Sequence, residues 1–162
     1  MLRENIKTVI LFSFPQVCPI SSAASRLLAL SETIKETETM QMIFTILRAT
    51  HCRSTHHYFA IDALKQLPTA SAQRLGQLLL KYHDEYLDGA KSPDTRFKDS
   101  QNHVIHVSDN NWGGAAQKCQ EWREVALKHL NERRWKKAAY ACGVLSHYFT
   151  DPLMPLHTAQ SP

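Results

Sequence analysis

The segment Glu132–Phe149 constrains the fold most, because one helical period gives it two faces that ask for burial. Trp135, Ala138, Cys142, Leu145 and Phe149 form an apolar stripe. Ala139, Gly143, His147 and Asp151, each four residues apart, form a second face. A helix that is apolar on more than one side belongs at the centre of a bundle. The His147–Asp151 pair then faces an interior, where an unpaired carboxylate is costly. A bound metal ion would remove that cost. Small residues above the pair leave room for other groups to approach it.

Beyond Asp151 the chain reads PLMPLHT. Pro152 and Pro155 turn it and can bring His157 back toward His147 and Asp151. Two imidazoles and a carboxylate at one point are a ligand set that Zn²⁺ accepts. The alternative is a helix end with a nearby Asp and two surface histidines.

The other long segments also follow a helical period. Ser21–Arg48 can form one or two helices. Thr55–Leu67 carries the stripe His56, Phe59, Ala60, Ala63, Leu64, Leu67, with Ser54 or Thr55 as cap and Pro68 as stop. Ser71–Leu87 places Leu75, Leu78, Leu79, Tyr82 and Tyr86 on one side, and Gly89 is expected to end it. Trp112–Leu130 follows the stripe Trp112, Ala115, Cys119, Trp122, Ala126, His129. Between them, Gly89–Asn111 has no sustained period, and a loop longer than about 12–15 residues is usually functional or disordered. Its VIHV cluster speaks against disorder. Only 5 Gly and few alternating runs argue against an all-β fold, and an all-α, multi-helix domain is expected. It is expected over residues 51–162, with residues 1–50 a partly helical segment of uncertain role.

The formal net charge of +4 is mild. It suits a phosphate-bearing substrate without demanding nucleic acid or a membrane surface. No stretch reaches the roughly 20 apolar residues of a membrane span. Arg3 and Lys7 ahead of TVILFSFPQVCPI resemble a weak signal peptide, but Glu4, Pro15 and Pro19 do not fit one well. The balance leans toward the cytoplasm, with secretion as the alternative. Cys18, Cys52, Cys119 and Cys142 show no CxxC spacing, so no disulfide framework is expected. Nothing in the chain fixes an oligomeric state.

All nine histidines lie between His51 and His157. His56 opens a helix on an apolar stripe, where it can be a core or capping residue or a ligand. His57, about 100° further round, is expected to be exposed. His83 and His129 lie among charged residues and are expected to be solvated. Asp94 follows Pro93 and can form an Asx-turn or serve as a ligand. His103 and His106, three apart in the irregular segment, can each be surface residues; His106 is expected to point away from His103. No GxSxG, P-loop, GxGxxG or HExxH is present, and no Ser or Cys nucleophile is indicated.

Taken together these residues resemble the zinc-dependent phospholipase C family, in the superfamily that also holds P1/S1-type nucleases. His147, Asp151 and His157 in HYFTDPLMPLHT resemble the family's His-x3-Asp helix followed by His in a Pro-containing turn. Asp94 in YLDGAKSPD, His103 in NHVIHV, and His56 with Phe59 and Ala63 match its other positions. The likeness runs from about Ser54 to Ser161. It implies an all-helical domain with up to three zinc ions held in a cleft by His56, Asp94, His103, His147, Asp151 and His157. Asp151 would bridge two ions, with His56 on one side and Asp94, His103 and His147 on the other. Asp94 would also orient or deprotonate the attacking water.

The implied activity is phosphodiester hydrolysis, with a metal-activated water attacking phosphorus. The implied substrate is a phospholipid. A nuclease acting on single-stranded nucleic acid is one alternative, with Trp112, Tyr148 and Phe149 as possible stacking platforms. A non-catalytic metal-binding helical domain is the other. Two departures stand out. No Trp precedes Trp112 to supply an N-terminal ligand, and the family's later His-x3-Glu pair does not occur before Pro162. The expectation is a truncated form of a longer protein, holding fewer than three zinc ions.

Overall fold

The computed structural model describes residues 23–154. The signal-like apolar run, Cys18 and His157 lie outside the described residues. These residues fall into two units that divide between Met40 and Gln41. Helix α1 (Ala23–Thr50) crosses that division. In the first unit Leu27, Leu28, Leu30 and Ile34 are exposed. Among the described residues no helix is long and apolar enough to cross a membrane.

The second unit holds the end of α1 and then α2 (Thr55–Leu64), α3 (Ala70–Lys81), α4 (His83–Ser92), α5 (Ala115–Asn131) and α6 (Trp135–Thr150). The fold is all-α, and the described residues contain no strand, only an isolated bridge between His106 and Trp112. Ser54 caps α2 by accepting from the His57 N–H, and Thr69 caps α3 by accepting from the Ala72 N–H. Phe44 and Leu47 of α1 are buried, and Arg48 pairs with Asp62 of α2.

The helix expected over Ser71–Leu87 is two helices. It breaks at Tyr82, whose backbone (φ −115°, ψ 44°) is not helical. Gly89 does not end a helix either; α4 runs on to Ser92. The reason lies across the bundle. A Cβ on Gly89 would stand 2.1 Å from the Tyr140 carbonyl oxygen, and one on Gly143 would stand 2.0 Å from the Tyr86 carbonyl oxygen. Both glycines are therefore close-approach residues where α4 and α6 cross backbone to backbone.

Helix α6 is central: it packs most extensively on α4 and α5 and also meets α2. The face that is buried differs in part from the expected stripe. Ala138, Ala139, Ala141, Gly143, Val144, His147 and Tyr148 are buried, whereas Trp135 and Phe149, at the two ends of the stripe, reach solvent. The small residues win because only they allow the close α4 contact. Fully buried Ile61 and Val144 each contribute about 1.5–3 kcal/mol of hydrophobic stabilisation. Tyr86 ties α4 to α2 by donating its hydroxyl to the Ala60 carbonyl at 3.1 Å.

Gly143→Ala separates crossing from propensity. Alanine in a helix interior gains roughly 0.5–1 kcal/mol over glycine, but overpacking here costs about 1–3 kcal/mol. The expected outcome is a lower melting temperature. Gly76→Ala, where the obstacle is only the tip of the Leu67 side chain, is expected to change it far less. Thermal unfolding of both variants checks this; a more stable Gly143→Ala would refute the crossing.

Candidate metal centre

Four stretches of chain deliver side chains to the end of α6. His147 and Asp151 come from one face of that end, and both are almost fully buried. His56 comes from the first turn of α2. Asp94 sits in a single π-turn, Pro93–Phe97, that continues α4 and closes with the Lys98 N–H donating to the Pro93 carbonyl at 2.9 Å. His103 ends the short 3₁₀ turn Ser100–His103. The segment Gly89–Asn111 thus begins with the end of α4 and is then ordered locally as turns, two of which carry Asp94 and His103 to the site.

The distances define one cluster around Asp151. Its Oδ2 lies 2.9 Å from His103 Nδ1 and 3.2 Å from His147 Nε2. Its Oδ1 lies 3.4 Å from His56 Nε2. Asp94 spans the same two sides: Oδ1 is 3.7 Å from His103 Nδ1 and 3.6 Å from His147 Nε2, and Oδ2 is 3.6 Å from His56 Nε2. The rings of His56 and His147 lie 4.0 Å apart. Asp94 is the most exposed member and marks the side open to solvent.

The outward nitrogens fix which ring atoms face the cluster. His147 Nδ1 lies 2.8 Å from the Ala90 carbonyl oxygen. A carbonyl only accepts, so Nδ1 carries hydrogen and Nε2 turns a lone pair inward. His103 Nε2 donates to Asp99 Oδ1 at 3.2 Å, which leaves Nδ1 as the inward atom. Asp99 is itself held by the Tyr148 hydroxyl at 2.8 Å and by Asn102 Nδ2 at 2.9 Å. Carboxylate or carbonyl partners behind an imidazole are the usual support for a metal-binding histidine. His56 Nδ1 is buried without a partner.

The electrostatics agree with a site that wants a cation. Burial raises the Asp151 carboxyl, but the His103 and His147 imidazoles beside it outweigh burial and hold the group well below the ordinary carboxylate range. His103 is raised, first by its hydrogen bond to Asp151 and against burial. His56 is lowered, first by burial and then by the neighbouring His147. A proton on His103 therefore compensates Asp151, and a metal ion would compete for the same place. Two sets of donors, His56/Asp94/His147 and His103/His147/Asp151, each have ligand atoms within 4.8 Å of one another. Nitrogen and carboxylate oxygen in this mixture fit zinc.

Five of the six residues singled out from sequence, His56, Asp94, His103, His147 and Asp151, are thus brought together. The sixth, His157, lies outside the described residues. His106 turns to the Trp112 ring, at 5.1 Å between centroids. His57 is not exposed as expected but buried, its Nδ1 accepting from the Arg53 N–H at 3.1 Å. α2 packs on α4 as well as on α6, so both of its neighbouring histidines turn inward. His83 and His129 are likewise partly buried rather than solvated. Tyr148 is fully buried and committed to Asp99, which removes it as a stacking platform. Asp99 and the Ala90 carbonyl carried no sequence-based role. The Asp99–His103 spacing of four was the available signal for the former.

Comparison with known proteins gives one family. Residues 55–161 match the family model described as zinc dependent phospholipase C. No curated protein and no solved structure matches the chain significantly. The match covers more than half of the sequence and contains all five converged side chains. The chain belongs to the zinc-dependent phospholipase C family.

Proposed function

We propose that this chain is a zinc-dependent phosphodiester hydrolase acting on phospholipid head groups. The observation that carries the proposal is the ring of three imidazoles around Asp151, two of them anchored from behind, with inward nitrogens facing both carboxylate oxygens. Asp151 is the group able to bridge two ions, since Oδ1 faces His56 and Oδ2 faces His103 and His147. His56 and Asp151 would help hold one ion; His103, His147, Asp151 and Asp94 would hold the other. His157 would belong to a further ion.

Zinc, when bound, supplies positive charge to the phosphoryl oxygens and brings the pKa of a water near 7. The protein side of the reaction falls to named residues. Asp94, half-exposed at the open side, orients a water and accepts its proton. Asp99 and the Ala90 carbonyl keep His103 and His147 in one tautomer and one orientation. Phe149, Leu153 and Met154 flank Asp151 in sequence and are exposed, which suits a substrate presented at an apolar lipid surface.

Hydrolysis of choline phospholipid vesicles, measured beside cleavage of single-stranded DNA, tests the substrate. Released phosphocholine with intact DNA is expected. Cleaved DNA with intact lipid would favour the nuclease reading, and neither activity in a zinc-loaded chain would favour a non-catalytic domain.

Asp151→Asn keeps the size but removes the charge shared between the two sides. It is expected to release zinc and lower the melting temperature, because saturating zinc at about 100 times its dissociation constant adds roughly 2.7 kcal/mol. Without metal, replacing a buried carboxylate by an amide is neutral or stabilising. Glu124→Gln, on an exposed carboxylate, is the control. Zinc per chain by mass spectrometry and thermal unfolding check the outcome; unchanged zinc in Asp151→Asn rejects the bridging role. Asp99→Asn is expected to weaken zinc binding about 10–100-fold, read by competition with a chromophoric chelator.

A further inference from the structure

Three donors lie together outside this cluster. His51 directly follows α1, and His83 and Asp84 open α4, further on in the chain. Their ligand atoms lie within 4.8 Å of one another. The two rings meet edge to face, 4.7 Å between centroids, and His83 Nε2 is 3.5 Å from Asp84 Oδ1. No residue is shared with the Asp151 cluster.

The hydrogen bonds fix both tautomers. The Thr50 hydroxyl gives its one hydrogen to the Ile46 carbonyl at 2.7 Å. It can therefore only accept from His51 Nδ1, 2.6 Å away. His51 Nδ1 carries hydrogen, and Nε2 carries the lone pair. His83 Nδ1 faces the Leu80 carbonyl at 3.1 Å, which only accepts, so its Nε2 also carries the lone pair. Each imidazole thus has a backbone-anchored support behind it and a free Nε2 in front, the arrangement of a metal-ligating histidine. The anchors are rigid: the His51 N–H donates to the Leu47 carbonyl at 2.9 Å, and His83 starts a helix.

We propose that His51, His83 and Asp84 form a second binding site for one divalent cation of zinc's class. Two imidazole nitrogens select zinc, cobalt or nickel over magnesium and calcium, which prefer all-oxygen shells. Asp84 is well exposed, so the site opens to solvent and takes water in its remaining positions. A cation there joins the end of α1 to the start of α4, the helix whose Ala90 carbonyl holds His147. The site stands whether or not the Asp151 cluster is catalytic.

The test uses the full chain without an affinity tag and Zn²⁺ alone as probe. His51→Gln and His83→Gln are each expected to bind one equivalent less than the wild type. Asp84→Asn, which removes the site's one anionic ligand, is expected to bind that equivalent more weakly than the wild type. Asp151→Asn should keep the equivalent that the Asp151→Asn/His83→Gln double variant loses, which separates this site from the main cluster. In the wild type, the imidazole nitrogen resonances of His51 and His83 should shift on zinc addition, a readout that needs no variant. Unchanged stoichiometry in both histidine variants, or unshifted resonances at saturating zinc, overturns the proposal.

Discussion

The close crossing of α4 and α6 is the constraint on which the site depends. Gly89 and Gly143 remove the two Cβ atoms that would hold the backbones apart. At that spacing the Ala90 carbonyl reaches His147 Nδ1 at 2.8 Å and sets the ring's orientation. The same crossing delivers the π-turn that carries Asp94, because the turn continues α4. One packing decision, made with residues that have almost no side chain, therefore positions two elements of the centre. The gain is geometric rather than hydrophobic, since glycine offers no side chain to bury.

The second requirement is electrostatic. Asp151 is buried at the base of the cluster, where a lone carboxylate would be penalised by the loss of water. Three imidazoles converge on it, and two of them are fixed from behind by groups that accept hydrogen bonds. Tyr148 contributes from the same helix by holding Asp99 in place. The centre is thus prepared for positive charge before any ligand arrives. Such pre-organisation is what lets a site act on a phosphodiester without reorganising during the reaction.

Much of this was legible in the sequence, and the rest was not for identifiable reasons. The i,i+4 spacing of His147 and Asp151 fixed their common face, because that relation depends only on helix geometry. The all-α fold followed from repeated helical stripes. The break at Tyr82 was hidden, since Leu75 to Tyr86 keeps a continuous apolar period across it. Gly89 resembled a helix stop, and only its partner backbone on α6 shows that it permits a contact. His57 and His83 were misjudged because burial by a second neighbouring helix leaves no mark in local periodicity. The meeting of His51 with His83 is a tertiary event that no local spacing encodes.

Anomalous diffraction at the zinc edge, from crystals of the full chain grown with Zn²⁺, tests the central claim most directly. The account predicts density between His103, His147 and Asp151, with a neighbouring peak on the His56 side of Asp151. Zinc-soaked crystals with ordered side chains and no anomalous peak at Asp151 would contradict it.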